Sequence, residues 1–342
     1  MNSKWFKGIL YFLGLISIAI FLITTFDVQP IKKLIISDQY EQYGELTDIN
    51  RIADFKVELP PKRPEYFGVP VKQAEVICFG DSYFNHVRFV NVPESISNIF
   101  DVPVSFIKDE NPVAYLTANQ YKSDVGKVLI YETTERLIAH RFSKPFTPKG
   151  KKGGIKGKIK KWNTAIFDKE MDYKYLLKSS IFTEWIYAKI ATFKFRKFGY
   201  ITSQTPLYDL DSKMLFLGPT TGNTNKGFYY QHSEDEINLY ADNIQKLAQK
   251  MKDDYGLDFI FLPIPSKYTI YHTLLNEDAY NELLPQLYTA LETRGIRYIN
   301  LYDPYIESKE LLYHPTDSHW NEKGKDVCVS LVVKELKDGL LN

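Results

Sequence analysis

"AEVICFGDSYFNH", Ala74–His86, passes in one step from an apolar run to a polar turn. The run 74–80 is short and ends at Gly80, which suits a β-strand buried on both faces. "VPVSFI" (102–107), "KVLIYE" (127–132), "LDFIFLPI" (257–264) and "IRYINL" (296–301) repeat the type. Helix signals lie between them. "SEDEINLYADNIQKLAQKMKDDYG" (233–256) opens with a capping box at Ser233 and Glu236. Its apolar residues Ile237, Tyr240, Ile244, Leu247 and Met251 recur at helical steps, and Gly256 supplies a stop. Further helices are expected over 278–293 and 322–336. Strands alternating with helices predict a three-layer α/β/α fold with roughly five parallel strands.

The bulk composition permits one large domain. Of 342 residues, 44% are hydrophobic and 25% charged, enough apolar material for a packed core and too much for wholesale disorder. A net charge of +1 gives no general pull toward nucleic acid. The two cysteines, Cys78 and Cys328, stand in an apolar strand and in the last helix without a metal-type neighbour, so buried free thiols are expected.

The N-terminus has a different character. "WFKGILYFLGLISIAIFLITTF" (5–26) carries a single charge, Lys7, and is long enough to cross a bilayer core of ~30 Å as a helix. The following "TTFDVQP" is a poor cleavage site, which favours a retained anchor. The expected organisation is a tail and membrane signal anchor over 1–27, a stalk over 28–70 ending in the stiff "LPPKRPEYFGVP", and a catalytic domain over 71–342. Residues 141–220 break the strand–helix rhythm and read as a helical insertion with mostly buried aromatics. Within it "KPFTPKGKKGGIKGKIKKW" (144–162) holds eight lysines and no acid: a solvated loop, or a basic surface for an anionic glycan or lipid.

Ser82 follows a strand that ends in Gly80, and ligands of open α/β sheets bind beyond the carboxyl ends of strands. Its amide, at the start of a helix-like stretch, is placed to favour developing negative charge. "DSHW" (317–320) stands just before the last helix. Residues two apart in an extended loop project to one side, so Asp317 can accept the His319 imidazole N–H. That supplies the base and the orienting acid that a serine nucleophile needs. The competing account makes Asp317 a helix cap and packs His319 against Trp320. None of the remaining histidines, His86 and His314 included, has a comparable setting.

"FGDS" (79–82) and "DSHWNEKG" (317–324) resemble the SGNH-hydrolase superfamily, and within it the membrane-linked polysaccharide O-acetyltransferase branch of alginate O-acetyltransferase AlgJ/AlgX-like proteins. "YETTERL" (131–137) and "PIPSKYTIY" (263–271) are weaker echoes of that branch. The resemblance implies a flavodoxin-like parallel sheet with Ser82, His319 and Asp317 as catalytic triad. Asp81, Arg136, Lys267, Tyr268 and Trp320 become candidate substrate-binding residues. It implies O-acetylation of an exported polysaccharide at a bacterial cell membrane, with the catalytic domain on the periplasmic side. An MBOAT-type membrane acyltransferase would supply acetyl groups, and no metal or other cofactor is called for. The second oxyanion donor has no clear counterpart; "KDENPVAYL" (108–116) and "GNTN" (222–225) are the segments in question. A membrane-anchored carbohydrate esterase and a non-catalytic glycan-binding module are the alternatives.

Overall fold

The computed structural model describes residues 3–26, 39–108, 111–123, 127–146, 180–181, 183–221, 230–275 and 280–339. The lysine-rich stretch 149–161 and the "GNTN" segment lie outside them. The chain divides into two units: Met1–Gln39, Arg51–Ala53 and Gly150–Tyr200 form one, and the rest forms the other. The first contains helix α1 (Ser3–Phe26). Among the described residues no helix is long and apolar enough to cross a membrane.

The second unit holds helix α2 (Glu45–Asn50), strand β1 (Val76–Gly80), helix α3 (Val92–Phe100), strand β2 (Val104–Lys108), helix α4 (Pro112–Ala118) and strand β3 (Lys127–Thr134). Helix α5 (Glu184–Phe198) belongs to the first unit. The hairpin β4 (Leu207–Asp209) and β5 (Met214–Phe216), helix α6 (Glu234–Tyr255), strand β6 (Leu257–Ile264), helix α7 (Leu283–Glu292) and helix α8 (Glu322–Gly339) complete the second. The main sheet is parallel, in the order β2-β1-β3-β6. Strand period two sorts its side chains cleanly. Ile77, Phe79, Leu129, Tyr131 and Phe261 enter one core with α6 and α7, while Val76, Cys78, Val128, Ile130 and Ile260 enter the other with α3 and α8. Both cysteines are buried and free. The capping box of α6 forms as read, with Gly256 closing the helix at φ 69°.

Three expectations are revised. The fifth strand is reduced to one parallel bridge, Tyr298 to Phe261, because Asn300 accepts the Asp303 amide and turns the chain into the helix Tyr302–Glu307. The region expected as a stalk is, where described, part of the second unit over Tyr40–Asn50 and from Asp54 onward. There Leu46 and Phe55 are fully buried, and the Phe67–Val69 backbone bonds to β2, covering an edge that would otherwise offer unpaired amides. The insertion is less a cap than a helix plus a hairpin. The aromatics of α5 stand mostly in solvent, with only Phe195 buried, whereas β5 is wholly buried.

The chain leaves β1 for β2 on one side and returns to β3 on the other, so the carboxyl end of β1 is the switch point of the sheet. There Gly80 has no room for a side chain: a Cβ would stand 2.3 Å from Glu132 Oε2 and 3.0 Å from Glu132 Cβ. Gly80→Ala should therefore cost about 1–3 kcal/mol of stability through overpacking, read by chemical denaturation. An unchanged denaturation midpoint would refute this account of the turn.

Candidate active site

Ser82 lies in the turn that leaves β1, and His319 in the loop that enters α8. They are far apart in sequence, yet Ser82 Oγ and His319 Nε2 are 2.7 Å apart. His319 Nδ1 stands 2.6 Å from Asp317 Oδ1, which also accepts the His319 amide at 3.1 Å. The tripeptide thus wraps its own carboxylate around its own imidazole. Asp317 does not cap α8: Asn321 accepts the Gly324 amide there instead.

The amides around Ser82 are divided. Asp81 donates its amide to Glu132 Oε2 at 2.6 Å, and Tyr83 donates to Asp81 Oδ1 at 2.9 Å. Among the described residues no acceptor takes the Ser82 amide, which leaves it for an oxyanion. No helix begins at Ser82. Residues 82–85 form a turn, and α3 starts later, capped by Asn91. The site therefore relies on local amides rather than on a helix dipole.

The loop 314–318 is held from three sides. Lys267 follows β6, and its buried ammonium donates to the carbonyls of Leu215 (2.9 Å), His314 (2.7 Å), Pro315 (2.6 Å) and Asp317 (3.2 Å). From α2, the Leu46 amide bonds Thr316 O at 3.1 Å and Glu45 accepts the Ser318 hydroxyl. Tyr83 donates its hydroxyl to Ser318 O at 2.5 Å. Nothing in the local sequence marked Glu45 or α2 for this role; only the packing reveals it.

The structure redistributes the candidate binding residues. Lys267 commits its protons to carbonyl oxygens and acts as a buttress. Tyr268 is a core ring against Phe216, and Trp320 is fully buried, edge-on to Tyr83. Neither offers a surface to a ligand. Asp81 shapes the turn. Arg136 remains half-buried and lines a small cavity of about 20 Å³, room for roughly one water, with Tyr83, Thr134, Ser266, Lys267 and Ser318. Among the described residues no ion pair joins it to Glu132 or Glu135. Thr134 Oγ1, buried and without a partner, lines the same cavity. The cavity walls thus include a cation and an uncommitted hydroxyl beside the neighbours of both Ser82 and His319.

Burial controls the electrostatics. It raises Glu132 well above the usual carboxylate range, reinforced by Asp81, and raises Glu135 despite bonds from Ser266, Thr269 and Tyr280. Burial likewise lowers the Lys267 ammonium to about 7. Asp317 goes the other way: burial would raise it, but the His319 imidazole and its hydrogen bonds hold it below the ordinary range. For His319, burial pulls the pKa down, and the Asp317 carboxylate and hydrogen bond outweigh it, leaving a net rise above 6.5. Sequence reasoning passed over two more imidazoles. His86 stacks on His319 at 4.7 Å between ring centroids and 11° between planes, and His314 lies 5.6 Å from His86. Burial lowers His86 well below the usual range and His314 to about 4, so both are neutral where His319 works. Neither ring then adds a positive charge against an imidazolium that His319 would form as a general base.

If His319 is a general base, it acts only when deprotonated. The kcat/KM of an aryl acetate should therefore fall as pH drops through a value above 6.5. Asp317→Asn should move that limb down and lower the rate by roughly three to four orders of magnitude. A limb that stays put in the variant would separate Asp317 from the base. Neither family models, nor curated proteins, nor solved structures match this chain.

Proposed function

We propose that the protein is an acyltransferase that moves acetyl groups onto hydroxyls of an exported polysaccharide through an acyl-serine intermediate. The observation that carries this reading is the continuous hydrogen-bond chain Asp317–His319–Ser82, whose buried carboxylate fixes the imidazole and whose imidazole meets the hydroxyl. Ser82 Oγ attacks the acetyl carbonyl as His319 Nε2 takes its proton, and Asp317 stabilises the imidazolium. The uncommitted Ser82 amide receives the oxyanion. His319 returns the proton to the departing donor group, leaving acetyl-Ser82. A sugar hydroxyl then gives its proton to His319 and attacks the ester, and His319 passes that proton to Ser82 Oγ as the C–O bond breaks, which restores the serine.

The choice of acceptor rests on the N-terminal helix and on the resemblance to SGNH-type polysaccharide O-acetyltransferases. Trp5, Leu10, Tyr11, Phe12, Leu15 and Ile18 of α1 are exposed around its whole circumference, a pattern of helices buried in lipid or protein. A membrane tether concentrates an enzyme on a polymer emerging from that membrane. Acetyl-CoA is cytoplasmic, so a catalytic domain on the periplasmic side takes acetyl from a membrane partner, here an MBOAT-type acyltransferase. Hydrolysis by water is the competing fate of the same intermediate.

Ser82→Ala should abolish turnover and the acetyl adduct on the intact protein seen by mass spectrometry; undiminished activity in that variant ends the assignment. The acceptor is tested separately, by the acetyl content of the exported glycan with wild-type protein and with His319→Ala. Less acetyl in the variant is expected. Equal content overturns transfer, and higher content identifies an esterase.

A further inference from the structure

Helix α5 has two unlike sides. Glu184, Ala188, Ala191, Thr192 and Phe195 recur at helical spacing and are shielded, with the Ala53 amide donating to Thr192 Oγ1 at 2.9 Å. The other side exposes Trp185 (54%), Ile186, Ile190 (47%) and Phe193 (56%), and Phe198 follows at its end. Exposed Lys189, Lys194 and Lys197 are interleaved with them, and among the described residues of the helix no acid stands on this side. The helix is well formed: Gly199 closes it at φ 63°, donating to Lys194 O and Phe195 O. Lys189 lies over the Trp185 ring at 5.0 Å, and Phe193 meets Phe198 edge-on at 6.1 Å. So many large exposed apolar side chains on one helix mark an interaction surface.

The face points to one occupant. We propose that α5 docks flat on an anionic lipid surface, its aromatic and isoleucine side chains entering the headgroup–acyl boundary while its lysines reach lipid phosphates. Three features favour lipid. Flexible cations beside buried apolar side chains can extend their charge to the headgroups, as amphipathic interfacial helices do. A protein interface depletes lysine from its apolar centre, the reverse of the pattern here. A polysaccharide would complement the charges and the aromatic rings but offers no apolar depth to Ile186 and Ile190. The charges of α5 described on this side are basic, and anionic leaflets attract such segments. α5 also belongs to the same unit as α1. The inference goes beyond the proposed chemistry and does not depend on the triad. It accounts for the aromatics of the insertion that are not in the core.

The test uses the full-length chain with Phe193→Cys carrying an environment-sensitive fluorophore; labelling is selective because Cys78 and Cys328 are buried. The labelled protein is reconstituted in phosphatidylcholine vesicles with and without phosphatidylglycerol. With anionic lipid, a blue-shifted emission, several-fold weaker quenching by aqueous iodide and quenching by acyl-chain spin labels are expected. A label at exposed Ser330 on α8 should show none of these. Lys189→Glu with Lys194→Glu should abolish most of the response, and an Ile190→Cys label should report as Phe193→Cys does. Ser82→Ala should leave it unchanged, so failure of the catalytic reading does not touch this result. Equal iodide access in both vesicle types overturns the proposal. So does shielding that persists in detergent without lipid, which would mean a protein surface, or shielding that needs added anionic polysaccharide.

Discussion

A single buried ammonium organises the site. Lys267 leaves the end of β6 and spreads its charge over carbonyls from β5 and from the loop that carries Asp317. Moving a lysine from water into a protein interior costs several kcal/mol unless its protons are all bonded. Here the acceptors are backbone oxygens of β5 and of the irregular loop, among them Pro315 O, which also takes the Leu215 amide. The irregular loop 314–318 can stay inside the domain because the cation draws its carbonyls inward. The position of His319 relative to Ser82 follows from that.

The same economy of charge governs the surroundings. Asp317 is kept ionised by its imidazole, while Glu132 and Glu135, equally buried, are driven toward the neutral form by desolvation. Glu132 then serves as the acceptor that fixes the turn under Ser82, and Glu135 gathers Ser266, Thr269 and Tyr280 around the end of β3. His86 and His314 surround the base with neutral rings. The Asp317 carboxylate is thus aimed at one imidazole, which Glu45 and Asp81 also favour in its charged form, while the neighbouring rings add no charge of their own. Two orphaned nitrogens, His86 Nε2 and His314 Nε2, mark the polar cost of that arrangement.

The sequence alone determined the features that depend on short stretches of chain. Alternating strand and helix patterns foretell the parallel sheet, since side-chain period two and the capping box of α6 are local properties. Ser82, Asp317 and His319 were legible for a similar reason: a glycine-ended apolar strand and an acid two residues before a histidine are short signals. Packing decided the rest. The strand at 296–301 shrank to a bridge when Asn300 turned the chain, and α2 joined the 314–318 loop from a segment that reads as a polar stalk. Lys267, Tyr268 and Trp320 look like ligand residues in one dimension, yet burial makes them a buttress and two core rings. His86 and His314 acquire meaning only where β1's turn meets the α8 loop. Burial and the partners of a buried polar group are set by residues tens to hundreds of positions away, and no local pattern encodes them.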